Sequence, residues 1–221
     1  QTLFQKTISN FILKKISNIN YSLFLAIKAS DLEIVKIILK YNNKPNFVNK
    51  RMPKGTALCL AVQKNCLEIV IELLCVPRID VNLYDSSKNT PLIIAANNYN
   101  FDIFNAILDT HGDDIKSQTW QLETIISSLM SDEKLETNLS VSHIFQRILE
   151  IKHINSNIFQ DHFSKCCIAN DIETAKMLLQ NDKIDVNLYD ENGDTYLTRA
   201  ISKGNYEISR LLIKYSKTDI N

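Results

Sequence analysis

Ile79-Asp80-Val81-Asn82-Leu83-Tyr84-Asp85 returns unchanged as Ile184-Asp185-Val186-Asn187-Leu188-Tyr189-Asp190, displaced by 105 residues. One third of that step is about 35 residues, close to the period of a two-helix solenoid repeat. Other landmarks keep the register. Glu33-Ile34-Val35 recurs as Glu68-Ile69-Val70, and the same acidic position recurs at Asp102, Glu173 and Glu207. A second column, Ala26, Ala61, Ala95, Cys166 and Ala200, runs seven residues ahead of the acidic one throughout. Two columns in one register describe an array of stacked modules, whose usual use is an extended binding surface.

Within a unit the apolar spacing is helical. Leu92, Ala95 and Ala96 share one face, and Ile103, Phe104, Ile107 and Leu108 form a second stripe. Asp31, Asn100, Asp171 and Asn205 stand between the two helices as expected N-caps, because their side chains can accept a hydrogen bond from an exposed backbone N–H. The residue before each junction is Ser30, Asn65, Tyr99, Asn170 or Gly204. A tight turn there needs a left-handed backbone, which Asn and Gly tolerate and Tyr does not, so the Tyr99 turn is expected to be distorted. Each helix pair is too thin to bury its own stripe, and stability must come from stacking on its neighbours.

Lys54-Gly55-Thr56-Ala57-Leu58-Cys59-Leu60-Ala61 resembles the Gly-x-Thr-Pro-Leu-His-x-Ala opening of the ankyrin repeat. Lys88 to Ala95 and Gly193 to Ala200 resemble it too, Leu67 to Leu74 resembles the second helix, and Ile79-Asp80-Val81-Asn82 the closing segment. The resemblance covers roughly residues 21–115 and 156–221. It implies an all-α, ankyrin-type helix-pair solenoid of about six units. Thr at the start of the first helix should cap it, and Pro91 suits a first turn that needs no N–H. The family's His is replaced by Cys59, Ile93 and Thr198, so the side chain-to-backbone bonds it supplies between units are expected to be missing.

The expected organisation is a single ankyrin-repeat domain over 1–221. A capping helix occupies 1–20, where Phe4, Ile8, Phe11, Ile12 and Ile16 have helical spacing. Repeats follow over 21–50, 51–84 and 85–115, then a divergent helix pair over 116–155, then repeats over 156–189 and 190–221. In the divergent pair, Asp113-Asp114-Ile115-Lys116 reads as a repeat ending and Trp120 to Ile126 as a helix, with the intervening loop cut short. Ser131 to Thr137 reads as a lengthened linker. Trp120 is expected to pack between units. The chain starts at Gln1 and keeps an apolar last helix at Leu211, Leu212 and Ile213, so it reads as part of a longer protein.

Lys plus Arg and Asp plus Glu are 25 each, and the cations are evenly spread. That excludes the basic stripe with which a protein displaces counterions from nucleic acid. Lys50-Arg51 reads as a short solvated pair. No apolar run approaches the length of a membrane span. Five cysteines, an odd number set mostly in predicted helices, point to a reducing, cytoplasmic setting without a disulfide framework. Cys59 and Cys66 fill helix positions where small apolar residues belong.

Catalytic motifs are missing: there is no Gly-rich phosphate loop, no Gly-x-Ser-x-Gly and no His-Glu-x-x-His. His162 and Cys166 are spaced i, i+4, yet two ligands do not close a zinc site, and Cys166 reads as core. The sequence therefore predicts no enzyme, no cofactor and no metal.

The ankyrin resemblance implies that a protein partner contacts the projecting loop tips and the exposed ends of the first helices, along a concave face. In this sequence those positions are Arg51, Met52, Ser86, Ser87, Asn89, Glu191 and Asp194 on loops. On the first helices they are Gln63, Lys64, Asn97, Asn98, Ser202 and Lys203. Pro53, Gly55, Asn192 and Lys28 extend the set. Such residues also suit the solvated side of an amphipathic helix. A protein-interaction scaffold, a regulatory domain tethered to a catalytic domain outside this chain and a structural spacer all fit. The partner's identity and the oligomeric state stay open.

Overall fold

A computed structural model describes residues 19–42, 47–116, 119–130, 139–151, 156–180, 184–190 and 192–215. The expected capping helix, the 131–137 linker, the final Thr218-Asp219-Ile220-Asn221 and Glu191 lie outside the described residues. These contain twelve α-helices and no sheet: α1 (Ile19–Lys28), α2 (Leu32–Tyr41), α3 (Ala57–Gln63), α4 (Leu67–Leu74), α5 (Pro91–Asn97), α6 (Phe101–Lys116), α7 (Thr119–Met130), α8 (Leu139–Leu149), α9 (Ser156–Ala169), α10 (Ile172–Leu179), α11 (Tyr196–Ser202) and α12 (Tyr206–Lys214). One 3₁₀ turn spans Phe47–Asn49. The chain falls into two compact units, Gln1–Ile125 and Ile126–Asn221, with the division inside α7.

In the first unit α1 packs on α2, α3 on α4 and α5 on α6. The first helices α1, α3 and α5 then stack in one layer, and α2, α4 and α6 in another. The second unit repeats the scheme with α9 on α10 and α11 on α12, α9 stacking on α11 and α10 on α12. The stripes read from sequence are the core: Leu92, Ala95, Ala96, Ile103, Phe104, Ile107 and Leu108 are all buried. Removing these apolar surfaces from water is the main favourable term that holds each pair to the next.

The alanine column has a backbone role as well as a packing one. The carbonyls of Ala26, Ala61, Ala95, Cys166 and Ala200 accept the N–H of Asp31, Cys66, Asn100, Asp171 and Asn205 at 2.9–3.2 Å. That bond closes the inter-helix turn only if the preceding residue is left-handed. Ser30, Asn65, Tyr99, Asn170 and Gly204 all are, with φ of 55°, 58°, 54°, 60° and 74°. The expectation of a distorted turn at Tyr99 is therefore corrected. Tyr99 N donates to Ala96 O at 2.9 Å, as Asn65 N does to Val62 O at 3.0 Å. Closing the turn satisfies two carbonyls, which offsets a left-handed cost of about 1 kcal/mol.

The caps are mostly as read. Thr56, Thr90 and Thr195 accept from Cys59 N, Ile93 N and Thr198 N, and Pro91 occupies the first turn of α5. Asp31, Asn100 and Asp171 accept from Ile34 N, Ile103 N and Thr174 N at 2.9–3.1 Å. Asn205 departs from the expectation and makes no side-chain cap. Its amide instead donates to Cys167 O at 2.8 Å and Ile168 O at 3.1 Å, tying α12 to the end of α9. Cys66 is likewise not within a helix but at the cap position before α4, half-buried and 3.1 Å from Ser30 Oγ.

The divergent region differs in kind. Asp113-Asp114-Ile115-Lys116 is no repeat ending, because α6 runs on through Lys116 after a break at His111 (φ −134°, ψ 25°). The broken turn lets His111 Nε2 reach Leu74 O at 3.2 Å. Gln121, fully buried on α7, bridges to the preceding repeat: it accepts from Thr90 Oγ1 at 2.7 Å and donates to Asn82 Oδ1 at 2.8 Å. Trp120 beside it is 44% exposed.

Candidate interaction surface

The two copies of the heptapeptide build the same loop. Asp80 Oδ1 accepts from Asn82 N, and Asp185 Oδ1 from Asn187 N, both at 3.0 Å. Ile79 and Val81, and equally Ile184 and Val186, point into the core. At the tips, Asp85 Oδ1 accepts from Ser87 N at 2.8 Å and Asn89 N at 3.0 Å. Asp190 Oδ1 does the same for Asn192 N at 2.8 Å and Asp194 N at 2.9 Å. Lys88 and Gly193 supply the left-handed residue each turn needs. Projecting backbone is thus braced by a carboxylate at its base, and a braced loop loses little entropy on meeting a partner.

The brace is anchored differently in the two units. In the first, Asp85 is buried and its second oxygen accepts from Gln63 Nε2 at 3.0 Å. In the second, Asp190 forms an ion pair with Arg199. Gln63 therefore serves the loop as well as the surface. Gly55, expected on a projecting loop, is buried instead: a Cβ there would sit 2.9 Å from Asp85 Cα, and its φ of 108° suits glycine.

The remaining predicted positions fall as follows. In the first unit Arg51, Lys64, Ser86, Ser87, Asn97 and Asn98 are exposed, while Met52 and Asn89 are half-buried. The helix α3 stacks on α5, and the Arg51 loop meets the next through Tyr84. In the second unit Asp194, Ser202 and Lys203 are exposed. Arg51 is not merely solvated, as its sequence neighbourhood suggested. Its guanidinium lies 4.0 Å over the Tyr84 ring and donates to Tyr84 O at 3.0 Å. Sequence reading passed over Tyr84, since nothing local marks a tyrosine in one loop as the platform for an arginine in the preceding one.

Chemistry at the remaining candidate groups favours packing. Burial, with Lys165 nearby, lowers the basicity of His162. Burial pushes the thiols of Cys166 and Cys167 up to about 12, so both stay protonated and poorly nucleophilic at neutral pH. Among the described residues no group of three or more His, Cys, Asp or Glu side chains is arranged to hold a metal ion. No helix among them is long and apolar enough to cross a membrane.

Comparison with known proteins decides the family. A profile for ankyrin repeats (3 copies) matches residues 23–119, and one for ankyrin repeats (many copies) matches residues 163–213. The chain belongs to the ankyrin-repeat family. Ankyrin repeats are in general protein-interaction modules. This ankyrin-repeat chain is 29% identical over 166 residues to transient receptor potential cation channel subfamily A member 1 of Homo sapiens, spanning 73% of itself but 15% of that relative. Its fold is similar to the ankyrin repeat domain of Bcl-3 (TM-score 0.64, 18% identity, covering 89% and 86% of the two chains). It is also similar to an ankyrin repeat domain from Acinetobacter baumannii (0.58, 20%, 87% and 96%). A third likeness is to a chain in the complex of a predatory endopeptidase from Bdellovibrio bacteriovorus with an immunity protein (0.52, 17%, 87% and 96%).

Proposed function

We propose that this chain is a non-catalytic scaffold that holds a protein partner on its loop tips and first-helix ends, the surface that the family resemblance makes concave. The observation that carries the reading is the bracing of the two heptapeptide loops by Asp85 and Asp190, which presents Ser86, Ser87, Asn89 and Asp194 on fixed backbone. Exposed polar residues extend the first unit's surface at the ends of α3 and α5, and the second unit's at the end of α11. Five free cysteines suit a cytoplasmic setting. The test is a pull-down from host lysate that compares the chain with a variant carrying Asn97→Ala, Asn98→Ala and Lys203→Ala. A protein held by the first and lost by an equally stable variant supports the reading. Identical captures by both would remove it.

A second reading is favoured by the human relative, a cation channel of which the matched region is a small part. Here the chain is a regulatory domain within a larger protein. Fusing it to its neighbouring coding sequence and finding a partner-dependent activity there would favour this reading over the scaffold.

A further inference from the structure

We propose that the loop edge of the first unit, built on the Arg51–Tyr84 stack, binds an acidic segment of a protein partner; this rests on the interaction reading above and names its chemistry. The stack fixes Arg51. A guanidinium 4.0 Å over an aromatic face, with one N–H given to Tyr84 O, has lost most of its rotamer freedom before any partner arrives. Arg51 remains exposed, and a guanidinium carries five donors in a planar fork that matches a carboxylate. Arg and Tyr are also the residue types that dominate interface hot spots.

The surrounding charge is predominantly positive. Lys50, Lys54, Lys64 and Lys88 are exposed on the same two loops and the adjoining end of α3. Between residues 47 and 89 six Lys and Arg side chains stand against four carboxylates, of which Glu68 and Asp80 are exposed. Asp85 is buried and bonded to Ser87 N, Asn89 N and Gln63. Asp80 accepts from its own turn, Glu72 pairs with Lys36 at 3.6 Å, and Glu68 rides on α4. A zero net charge therefore conceals a locally positive edge. It does not recur in the second unit, where the corresponding loop has Glu191, Gly193 and Asp194 in place of Ser86, Lys88 and Asn89. A short basic edge with an aromatic platform suits an acidic peptide, whereas a phosphate backbone would call for a longer stripe.

The experiment pans a display library of random short peptides against the whole chain and measures the enriched peptides, fluorescently labelled, by anisotropy. The expected result is enrichment in Asp and Glu, binding that weakens with added salt, and about tenfold weaker binding to Arg51→Ala. Arg51→Lys keeps the charge without the planar fork and should fall between. An unchanged melting curve shows that the loss is not unfolding. Enriched peptides without acidic character, no enrichment, or acidic peptides indifferent to Arg51→Ala would each overturn the proposal. So would a labelled single-stranded DNA that binds more tightly than the peptides and depends on Arg51. Neutral peptides that depend on Asn97 and Asn98 would sink this inference and leave the interaction reading standing. Acidic peptides that depend on Arg51, beside an empty lysate pull-down, would support it while removing the pull-down's own claim.

Discussion

Cys59 Sγ lies 3.4 Å from the carbonyl oxygen of Leu83 and donates to it across 24 residues of sequence. The loss of inter-unit side chain-to-backbone bonds expected from the missing family His is therefore incomplete. A thiol at that position reaches the next loop, whereas Ile93 is simply buried and Thr198 bonds locally to Asp194 and Thr195. Cys59 is fully buried, so Cys59→Ala removes a weak hydrogen bond and leaves a small void. The expected cost is ~1–2 kcal/mol, read as a lower urea midpoint with unchanged slope. A midpoint equal to wild type would show that the contact contributes nothing.

Thiol chemistry should separate the cysteines. Cys75 is exposed, while burial raises Cys59 and takes Cys166 and Cys167 to about 12. Iodoacetamide at mildly alkaline pH should alkylate Cys75 first and reach Cys166 and Cys167 only after unfolding, as mass mapping would reveal. The linkage has a definite sign. A thiol ordinarily near 9.0 that is held at about 12 in the fold contributes stability fully present below pH 9, then lost between pH 9 and 12. A denaturation midpoint that rises over that interval would contradict the assignment.

Two glycines should differ in what they tolerate. Gly204 has φ of 74° and open space around it, so Gly204→Ala carries only the backbone cost of ~1 kcal/mol. Gly204→Asn should be milder, because Asn65 and Asn170 occupy the same turn. Gly55→Ala adds a collision with Asp85 at 2.9 Å and should lower the melting temperature considerably further. Equal losses at the two positions would refute the packing of Gly55 against the next loop.

Asn205 offers a test of cap against clamp. An ordinary cap would accept Asn205→Asp without loss, since Asp caps as well as Asn. The observed amide donates to Cys167 O and Ile168 O, and a carboxylate there would face two carbonyl oxygens with no proton to give. The expected cost is ~1–3 kcal/mol. Asp171→Asn, where the side chain accepts from Thr174 N, serves as the near-neutral control in the same unfolding assay.

Sequence by itself determined the repeat, because its causes are local and periodic. Helix faces follow from 3.6-residue spacing, the Thr and Asp caps act over three residues, and the alanine column marks the carbonyl that closes each turn. The heptapeptide likewise specified its loop twice over, since each Asp bonds backbone only two to four residues away. Tertiary structure alone decided the rest. The Arg51–Tyr84 stack, the Gln121 bridge between Thr90 and Asn82, and the Cys59–Leu83 bond join residues 24–39 apart. Tyr99 takes the turn that its type disfavours because the bonds closing it are satisfied. In the continued α6 and the buried Gln121, packing overrides the local pattern. Such contacts depend on which side chains the stacking of helix pairs brings within about 4 Å, and no local periodicity encodes that proximity.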